Sequence, residues 1–491
     1  MVPEAVKAEK QRLSSRLRDN IERLNGDLGV KKSFDMICRE LHYGGKDLAL
    51  YFIDGFAKDD IMNRIMEHLA ALGDQELTGD VLKKMLETEI GYLEVERVDN
   101  LDDLKAAVLS GPLVFVIDGE TTAIAIDART YPARGPAEPD LERVVRGSRD
   151  GFTETLIFNT ALTRRRVRDQ GLRMEYARVG KRSKTDICIA YIEDIANHDL
   201  VELIRNKLDE ITIDGLPMAE KTIEEVVFGH HWNPYPLVRY TERPDVAAVH
   251  LLEGHVLVYV DTSPSVMITP TTFFHHVQHA EEFRQKPIIG AYVRWLRFIA
   301  ILFSILLSPL WLAQSMNPEY MPQMFHFALP DKSLALALVW QLLIAEFGLG
   351  LLRMAAVHTP TPLGAALGLV AAMMIGSVAI EVGFFTNEAV LFTSIAAIGT
   401  FATPSYELSL ANQLVRLALI AITGIFGFWG FVVGVVLWIV LLVRTHSLNT
   451  SYLWPLLPFN GKALLHVVFR PPANWAAKRP SFLKTQDKTR R

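Results

Sequence analysis

The feature that most constrains this chain is an abrupt change in hydropathy near Gly290. Before that residue, charged side chains recur every few positions and apolar runs are short. After it come uncharged stretches long enough to cross about 30 Å of hydrocarbon, which requires roughly 20 residues of helix. We therefore predict an integral membrane protein: an α/β soluble N-terminal region of two subdomains, followed by an α-helical transmembrane bundle.

Charge and cysteine content argue against several other classes. The net charge of −5 is modest and gives no reason to expect a nucleic-acid partner. Cys38 and Cys188 are too few for a disulfide framework and lack a metal-type spacing, so we interpret them as reduced, partly buried thiols. The first residues, MVPEAVKAEKQRLSSRLRDN, are too charged for the apolar core of a signal peptide. The soluble region is therefore predicted to be cytoplasmic.

The soluble region divides at a Pro/Gly-rich link, YPARGPAEPD. We predict a charged helical lead-in over residues 1–30, a first α/β subdomain over 31–130 and a second over 141–285. In the first, LALYFIDGF and PLVFVIDGETTAIAIDA predict a buried strand and a hairpin turning at Asp118-Gly119. KDDIMNRIMEHLAALG and LDDLKAAVLSG predict helices.

In the second subdomain, TLIFNTALTRRRV predicts a helix and TDICIAYIEDI a strand. The helix that follows is expected to be capped by Asn197, whose side chain can accept from a free backbone N–H. The segment VAAVHLLEGHVLVYVDTSPSVMIT predicts two or three antiparallel strands with Gly254 in the first turn.

The transmembrane region is predicted over residues 290–445, and residues 446–491 form a basic cytoplasmic tail. Glycines interrupt the last apolar stretch, which is long for one crossing. The five hydrophobic segments are about Trp295–Ala313, Leu334–Leu352, Leu363–Phe385, Ala389–Thr403 and Leu417–Val443.

Charge placement predicts the orientation, because Lys and Arg concentrate on the cytoplasmic side. Arg294, Arg297, Arg353 and Arg416 flank the segments, whereas the loops QSMNPEYMPQMFHFALPD and FTNEA contain no Lys or Arg. Five crossings would put the basic tail on the opposite side. Either the last stretch makes two short crossings around its glycines, or the fourth segment is re-entrant, and we favour an even number of crossings.

The third segment carries a stripe of small residues that recur every four positions. Such a stripe lets helix backbones approach closely in lipid, which can serve packing within one subunit. The alternative is a pore-lining or subunit-contacting helix, where polar groups near the end of the stripe meet water or cations. The candidate residues are Gly364, Gly368, Ala372, Gly376, Ser377 and Glu381.

Glu346 lies inside the second segment, where an ionisable side chain is costly and usually faces a cavity or a partner. It either serves a polar pathway or is a protonated or paired glutamate that holds two helices together. Arg416 is the candidate partner, although its long side chain could instead extend to the interface.

Histidine spacing raises the question of metal binding. His275 and His279 would lie one turn apart on a helix, with Glu282 as a possible third ligand. An amphipathic interfacial helix explains FFHHVQHAEEF better, so we predict no metal site and no cofactor. GHHWNP and GKRSKTD are interpreted as loops, and we find no catalytic arrangement that would support an enzyme.

Several long segments resemble the GerA-type spore germination proteins, the A subunits of germinant receptors. They include RGSRDGFTETLIFNTALTRRRVRD, VGKRSKTDICIAYIEDIANHDLVELIRNKLDEITIDG, PTPLGAALGLVAAMMIGSVAIEVG and FATPSYELSLANQLVRL. The opening GGKDLALYFIDGFAKDDIMNRIMEHL most resembles a stage V sporulation branch of that family. One departure concerns the second span, where Gly350 and Met354 replace acids that receptor subunits carry, and this favours the sporulation branch.

The resemblance implies a multi-pass protein of the inner spore membrane whose N-terminal domain is cytoplasmic. It further implies a homo-oligomeric ring that passes monovalent cations during germination, with a small membrane protein or receptor complexes as partners. The alternatives are a nutrient-receptor A subunit that works with B and C subunits, and a non-conducting scaffold for germination proteins.

Overall fold

The computed structural model describes residues 12–32, 36–54, 56, 58–73, 77, 80–86, 90, 94–129, 135–139, 142–229, 232–330, 336–358, 379–469, 472 and 478–490. The chain divides into two compact units, Met1–Arg134 and Gly135–Arg491. The boundary falls inside the Pro/Gly-rich link. The second unit therefore combines the second α/β subdomain with the apolar helices.

The first unit is a five-stranded antiparallel sheet in the order β1-β2-β4-β5-β3. Its elements are α1 (Leu17–Leu28), β1 (Met36–Tyr43), β2 (Lys46–Ile53), α2 (Asp59–Ala70), α3 (Val81–Lys84), β3 (Val95–Val98), α4 (Leu101–Leu109), β4 (Leu113–Ile117) and β5 (Ala123–Ile126).

Both faces of this sheet are buried, which explains why its central strands are almost continuously apolar. Leu48 and Leu50 on β2 pack with α2 and α3, whereas Ala49 and Tyr51 pack with α1 and α4. The helix in the lead-in is present, but Leu24 is buried against the sheet. Residues 17–28 therefore belong to the first core instead of forming a solvated extension.

The second α/β subdomain repeats the same topology, in the order β6-β7-β9-β10-β8. One helix precedes the first strand, two separate the second and third, and one separates the third and fourth, as in the first unit. The elements are α5 (Leu156–Arg166), β6 (Leu172–Val179), β7 (Thr185–Ile192), α6 (His198–Asp209), α7 (Ala219–Phe228), β8 (Arg239–Thr241), α8 (Pro244–Glu253), β9 (Val256–Val260) and β10 (Val266–Thr269).

Two predictions here have opposite outcomes. Asn197 caps α6 by accepting from the backbone N–H of Asp199 at 3.1 Å. The first strand predicted from VAAVHLLEG is wrong, because Pro244–Glu253 is a helix that ends at Gly254 with φ 103°. Most of this helix is buried, so its sequence lacks the polar stripe that reveals a surface helix.

Among the described residues, three helices are long and apolar enough to cross a membrane, and a shorter apolar helix lies between the second and third. They are α11 (Pro287–Met316), α12 (Leu338–His358), α13 (Asn387–Phe401) and α14 (Tyr406–Arg444). Short helices α9 (Phe273–Val277) and α10 (Ala280–Arg284) lead into α11, and α15 (Gly461–Val468) follows α14 after a small hairpin, His446–Ser447 with Thr450–Ser451.

The long helix α14 folds back on itself at Gly427, where φ is 63° and ψ is −145°. The Tyr235 hydroxyl lies 3.4 Å from the Asn412 side chain and accepts from the Trp438 indole N–H at 2.6 Å. In a straight helix Asn412 and Trp438 would be about 39 Å apart. The two arms are therefore antiparallel, as two short crossings of the last apolar stretch would require, and the number of crossings stays a prediction.

The C-terminal residues 478–490 lie against the second α/β subdomain. The Arg479 guanidinium donates to the Leu252 carbonyl at 3.0 Å, and the Gln486 N–H donates to the Ile195 carbonyl at 3.0 Å. The Phe482 ring packs on His255. The tail and this subdomain therefore lie on the same side of the helical bundle.

Candidate functional site: the polar centre of the helical bundle

A buried ion pair joins the apolar helices. The Arg416 guanidinium on α14 donates to the Glu346 carboxylate on α12 at 2.7 Å, and the two side chains are 1% and 0% exposed. A charge isolated in this environment would be strongly disfavoured, so each group requires the other. The structure thus brings together the two intramembrane residues that the sequence singled out as possible partners.

The same guanidinium connects two further helices. It donates to the Thr400 hydroxyl on α13 at 3.0 Å and also to the Ser304 carbonyl on α11. All four helices therefore meet at one arginine. Inside lipid such polar contacts supply the directional attraction that apolar side chains cannot provide.

Close backbone approach accompanies these contacts. A Cβ added to Gly399 on α13 would lie 2.1 Å from the Ala300 carbonyl oxygen on α11. Only glycine allows α13 and α11 to approach so closely, which is the usual role of small residues between membrane helices. This packing brings Thr400 within reach of Arg416.

Arg353, near the end of α12, extends the polar centre. Its guanidinium donates to the Ser409 hydroxyl at 2.7 Å, and Ser409 donates to the Thr400 carbonyl at 2.9 Å. The guanidinium carbon also lies 5.5 Å from the ring centroids of Phe401 and Tyr406, at cation–π distance. Two basic residues are therefore held by hydrogen bonds inside the bundle.

Most of the predicted small-residue stripe lies outside the described residues, namely Gly364, Gly368, Ala372, Gly376 and Ser377. Glu381 is described and its side chain is exposed, close to exposed Val382 and Phe384. A short way along the chain, the Thr386 N–H donates to the Gln341 side chain at 2.8 Å, near the start of α12. Glu381 therefore lies near the bundle end where α12 begins.

The histidine spacing does not produce a helical ligand pair, because α9 ends at Val277 and the chain is extended at Gln278. His279 instead caps α10 by accepting from the Glu281 N–H at 3.2 Å. Within the part of the chain that the structure describes, no group of three or more His, Cys, Asp or Glu could hold a metal ion.

His275 joins a buried cluster with His250 and His255, whose ring centroids lie 4.9–5.9 Å apart. Burial penalises the charged imidazolium, so the pKa of His255 is lowered to about 3 and that of His250 falls well below its ordinary value. The rings are therefore neutral at pH 7. The sequence did not reveal this cluster, because His275 reaches the other two rings from a separate helix, α9.

A second buried charge cluster joins the α/β subdomain to the first apolar helix. Glu282 on α10 is fully buried and accepts from Arg294 at 2.7 Å, and it also contacts Arg297. The residue considered as a metal ligand thus neutralises two arginines at the base of α11. The sequence signal that could have indicated these ion pairs is the acidic Glu282 shortly before Arg294 and Arg297 at the start of the first apolar segment.

These features define a class: a polytopic membrane protein whose helices meet at a buried ion pair and whose soluble region repeats one α/β topology. The family model for the Bacillus/Clostridium GerA spore germination protein matches residues 23–482. The chain belongs to the GerA family, as its sequence motifs predicted.

Individual relatives agree with this assignment. The chain is 47% identical over 484 residues to Stage V sporulation protein AF of Bacillus subtilis, covering 99% of this chain and 98% of that protein. It is 28% identical to Spore germination protein KA of Bacillus subtilis, covering 98% and 90%. The predicted resemblance to the sporulation branch is confirmed.

Among solved structures, the chain is similar to the N-terminal domain of the A subunit of the Bacillus megaterium spore germinant receptor GerK3. The identity is 26%, the match covers 54% of this chain and 99% of that one, and the TM-score is 0.22.

Proposed function

We propose that this protein is a subunit of an oligomeric cation channel of the inner spore membrane, which amplifies germination as a homologue of Stage V sporulation protein AF. The observation that carries the proposal is the 47% identity to that protein along essentially the whole chain. A match that covers both soluble subdomains and the helical bundle supports a common role. The alternative within the family is a nutrient-receptor A subunit that requires B and C subunits.

The contacts in the polar centre reduce the number of residues that are candidates for lining a pore. Glu346 and Arg416 form an ion pair inside one protomer, so we assign them to holding the helices together. The small-residue stripe from Gly364 to Gly376 then becomes the stronger pore candidate, with copies of the chain surrounding a water-filled path. Exposed Glu381 would place a ring of carboxylates near the mouth, which attracts cations.

Ion flux from proteoliposomes tests this proposal. The protein, alone and with a co-expressed small membrane partner, is expected to release K⁺ or Na⁺, and Gly368→Leu should block the flux while the oligomer persists. Glu381→Gln should reduce the preference for cations over anions several-fold, whereas Glu388→Gln, at the start of the next helix, serves as the matched control.

Three results separate the alternatives. An oligomer that stays electrically silent with its partner contradicts conduction and favours a scaffold. Flux that appears only with a nutrient and a B-type subunit favours the receptor alternative. If Gly368→Leu prevents assembly instead of blocking flux, the stripe packs helices and does not line a path.

A further inference from the structure

Trp232 is an indole that the fold leaves wholly uncovered, since it is 99% exposed. A tryptophan usually buries about 150–250 Å² of surface, so full exposure on a water-facing loop is unfavourable. The next residue fixes the loop in place, because the Asn233 amide donates to the Thr445 hydroxyl at 2.9 Å. Thr445 caps the C-terminal end of α14. Trp232 therefore lies at the level where the last apolar helix ends.

A second exposed element lies at the same end of the bundle. Arg294, one residue before the predicted start of the first span, donates to the carbonyls of His466 and Val467 at 3.2 and 2.8 Å. The rings of Trp295 and Phe469 also lie 6.2 Å apart, centroid to centroid. The last turn of α15 is therefore attached to the base of α11.

The exposed face of α15 is amphipathic. Lys462, Leu465, His466 and Phe469 are exposed and follow helical spacing, so they share one side of the segment. Phe459, just before the helix, is also exposed. The surface along this segment is shallow, open and mostly apolar, and it is lined by Phe459, Lys462, Leu465 and their neighbours.

We infer that Trp232 and the segment Phe459–Phe469 form an interfacial anchor that inserts into the lipid leaflet on the side of the second α/β subdomain. Two separate hydrogen-bonded attachments place these groups at the ends of apolar helices, where a bilayer changes from hydrocarbon to headgroups. Aromatic rings are favoured in that layer because they combine an apolar body with a polar edge. The mostly apolar surface of this segment suits acyl-chain carbons, and Lys462 suits a lipid phosphate.

A lipid surface is favoured over a protein partner because the exposed apolar segment is continuous with the apolar surface of α11. Exposed Tyr292 and Ile299 on α11 continue the apolar surface from Phe469 along the membrane helix itself. Lipid that surrounds α11 would therefore also cover Phe469, with no separate binding partner. The anchor would hold the second α/β subdomain at a fixed height above the bilayer.

Site-specific fluorescence in proteoliposomes tests the inference. The full chain carrying Cys38→Ala and Cys188→Ala receives one cysteine, Trp232→Cys or Leu465→Cys, labelled with the dye NBD in vesicles of phosphatidylcholine and phosphatidylglycerol. Tyr176→Cys is the matched control, because Tyr176 and Leu465 are both 57% exposed. Tyr176 lies on β6, the strand at the opposite edge of the sheet from β8, about 19 Å away at four strand spacings.

At positions 232 and 465 the dye is expected to emit at shorter wavelength than at 176 and to be quenched at least twofold more by lipids with a nitroxide near the headgroup. Aqueous iodide should quench position 176 most. Water-like emission at 232 and 465, with iodide quenching equal to that at 176, would overturn the inference. So would blue-shifted emission that nitroxide lipids do not quench, because a protein surface would then cover the segment.

Discussion

At the residue scale, Arg416 shows how one side chain can determine the packing of a helical bundle. Its guanidinium bonds to groups on three other helices, and its carboxylate partner lies 2.7 Å away in an environment without solvent access. Replacing one member of such a pair leaves the other buried and uncompensated. The cost is therefore much larger than for an ion pair at the surface.

We predict that Arg416→Met lowers the free energy of unfolding by about 3–5 kcal/mol, because Glu346 loses its countercharge. Equilibrium unfolding in detergent micelles measures the change. The surface pair Arg173–Glu193, at 2.8 Å with side chains about half exposed, supplies the control. Arg173→Met should cost at most about 1 kcal/mol.

The double variant Glu346→Leu with Arg416→Met completes the double-mutant cycle. It should recover most of the lost free energy of unfolding, since neither charge of this pair then remains buried. Equal costs for Arg416→Met and Arg173→Met would contradict a stabilising role for the buried pair.

The buried histidines predict a pH dependence. The pKa of His255 is lowered to about 3 by burial, whereas in the unfolded chain it is about 6.5. Between these two pKa values the unfolded state binds more protons than the folded state. The contribution of His255 to the free energy of unfolding is therefore fully present above pH 6.5 and is lost as the pH falls through this window. The slope from one such histidine approaches about 1.4 kcal/mol per pH unit.

His255→Gln should therefore make the free energy of unfolding less dependent on pH between about 4 and 6.5, with unchanged dependence above about 7. Denaturant titrations of both proteins across this range provide the measurement. Identical slopes throughout would show that His255 titrates alike in the folded and unfolded states, which contradicts a lowered pKa.

At the scale of secondary-structure elements, the fold-back of α14 depends on one backbone conformation. Gly427 has φ 63° and ψ −145°, a backbone conformation that residues other than glycine rarely adopt. The Phe428 N–H beyond the turn donates to the Asn317 side chain at 3.0 Å, and an added Cβ at Gly427 would lie 2.7 Å from that same oxygen. A larger residue would thus strain the turn and disturb its hydrogen bond.

Gly427→Ala is predicted to reduce the free energy of unfolding by about 1–3 kcal/mol. Gly348→Ala is the matched control, since Gly348 lies within α12 and an added Cβ meets nothing within 4 Å. Alanine there should stabilise the helix by about 0.5–1 kcal/mol. Thermal unfolding of the two variants in one detergent tests whether Gly427→Ala lowers stability while Gly348→Ala raises it. If both substitutions change stability in the same direction, the conformation of the turn at Gly427 does not explain the effect.

At the scale of the whole molecule, the antiparallel arms of α14 return the chain to the side from which α11 starts. Residues 478–490 then contact the second α/β subdomain through backbone and side-chain hydrogen bonds. The segment between α11 and α12 lies beyond the far end of α11. The C-terminal tail and the second α/β subdomain should therefore share one compartment.

Cysteine accessibility in sealed vesicles checks this arrangement. In the background that lacks Cys38 and Cys188, Tyr176→Cys and Thr489→Cys should react with an impermeant maleimide from the same side. Met324→Cys, in the exposed segment between α11 and α12, should react only from the other side. Labelling of positions 489 and 324 from one side would contradict this arrangement, because the chain would then cross an even number of times between them.

Much of this fold follows from local properties of the sequence. The apolar segments, the turn at Asp118-Gly119 between β4 and β5 and the Asn197 cap each depend on neighbours within a few residues. Hydropathy and backbone capping act over that range, so they can be recognised without knowing the fold. The helix Pro244–Glu253 also carried a proline start and a glycine stop, but its largely buried faces hid the helical period.

The sequence by itself thus determined the class of the protein, the order of its regions and most of its secondary structure. Only the tertiary structure decided that Glu346 meets Arg416, that α14 reverses at Gly427, and that Glu282 neutralises arginines instead of binding a metal. The physical reason is that a buried charge has to be neutralised by whichever opposite charge the packing brings within about 3 Å. That partner can lie 70 residues away, and no local pattern identifies it.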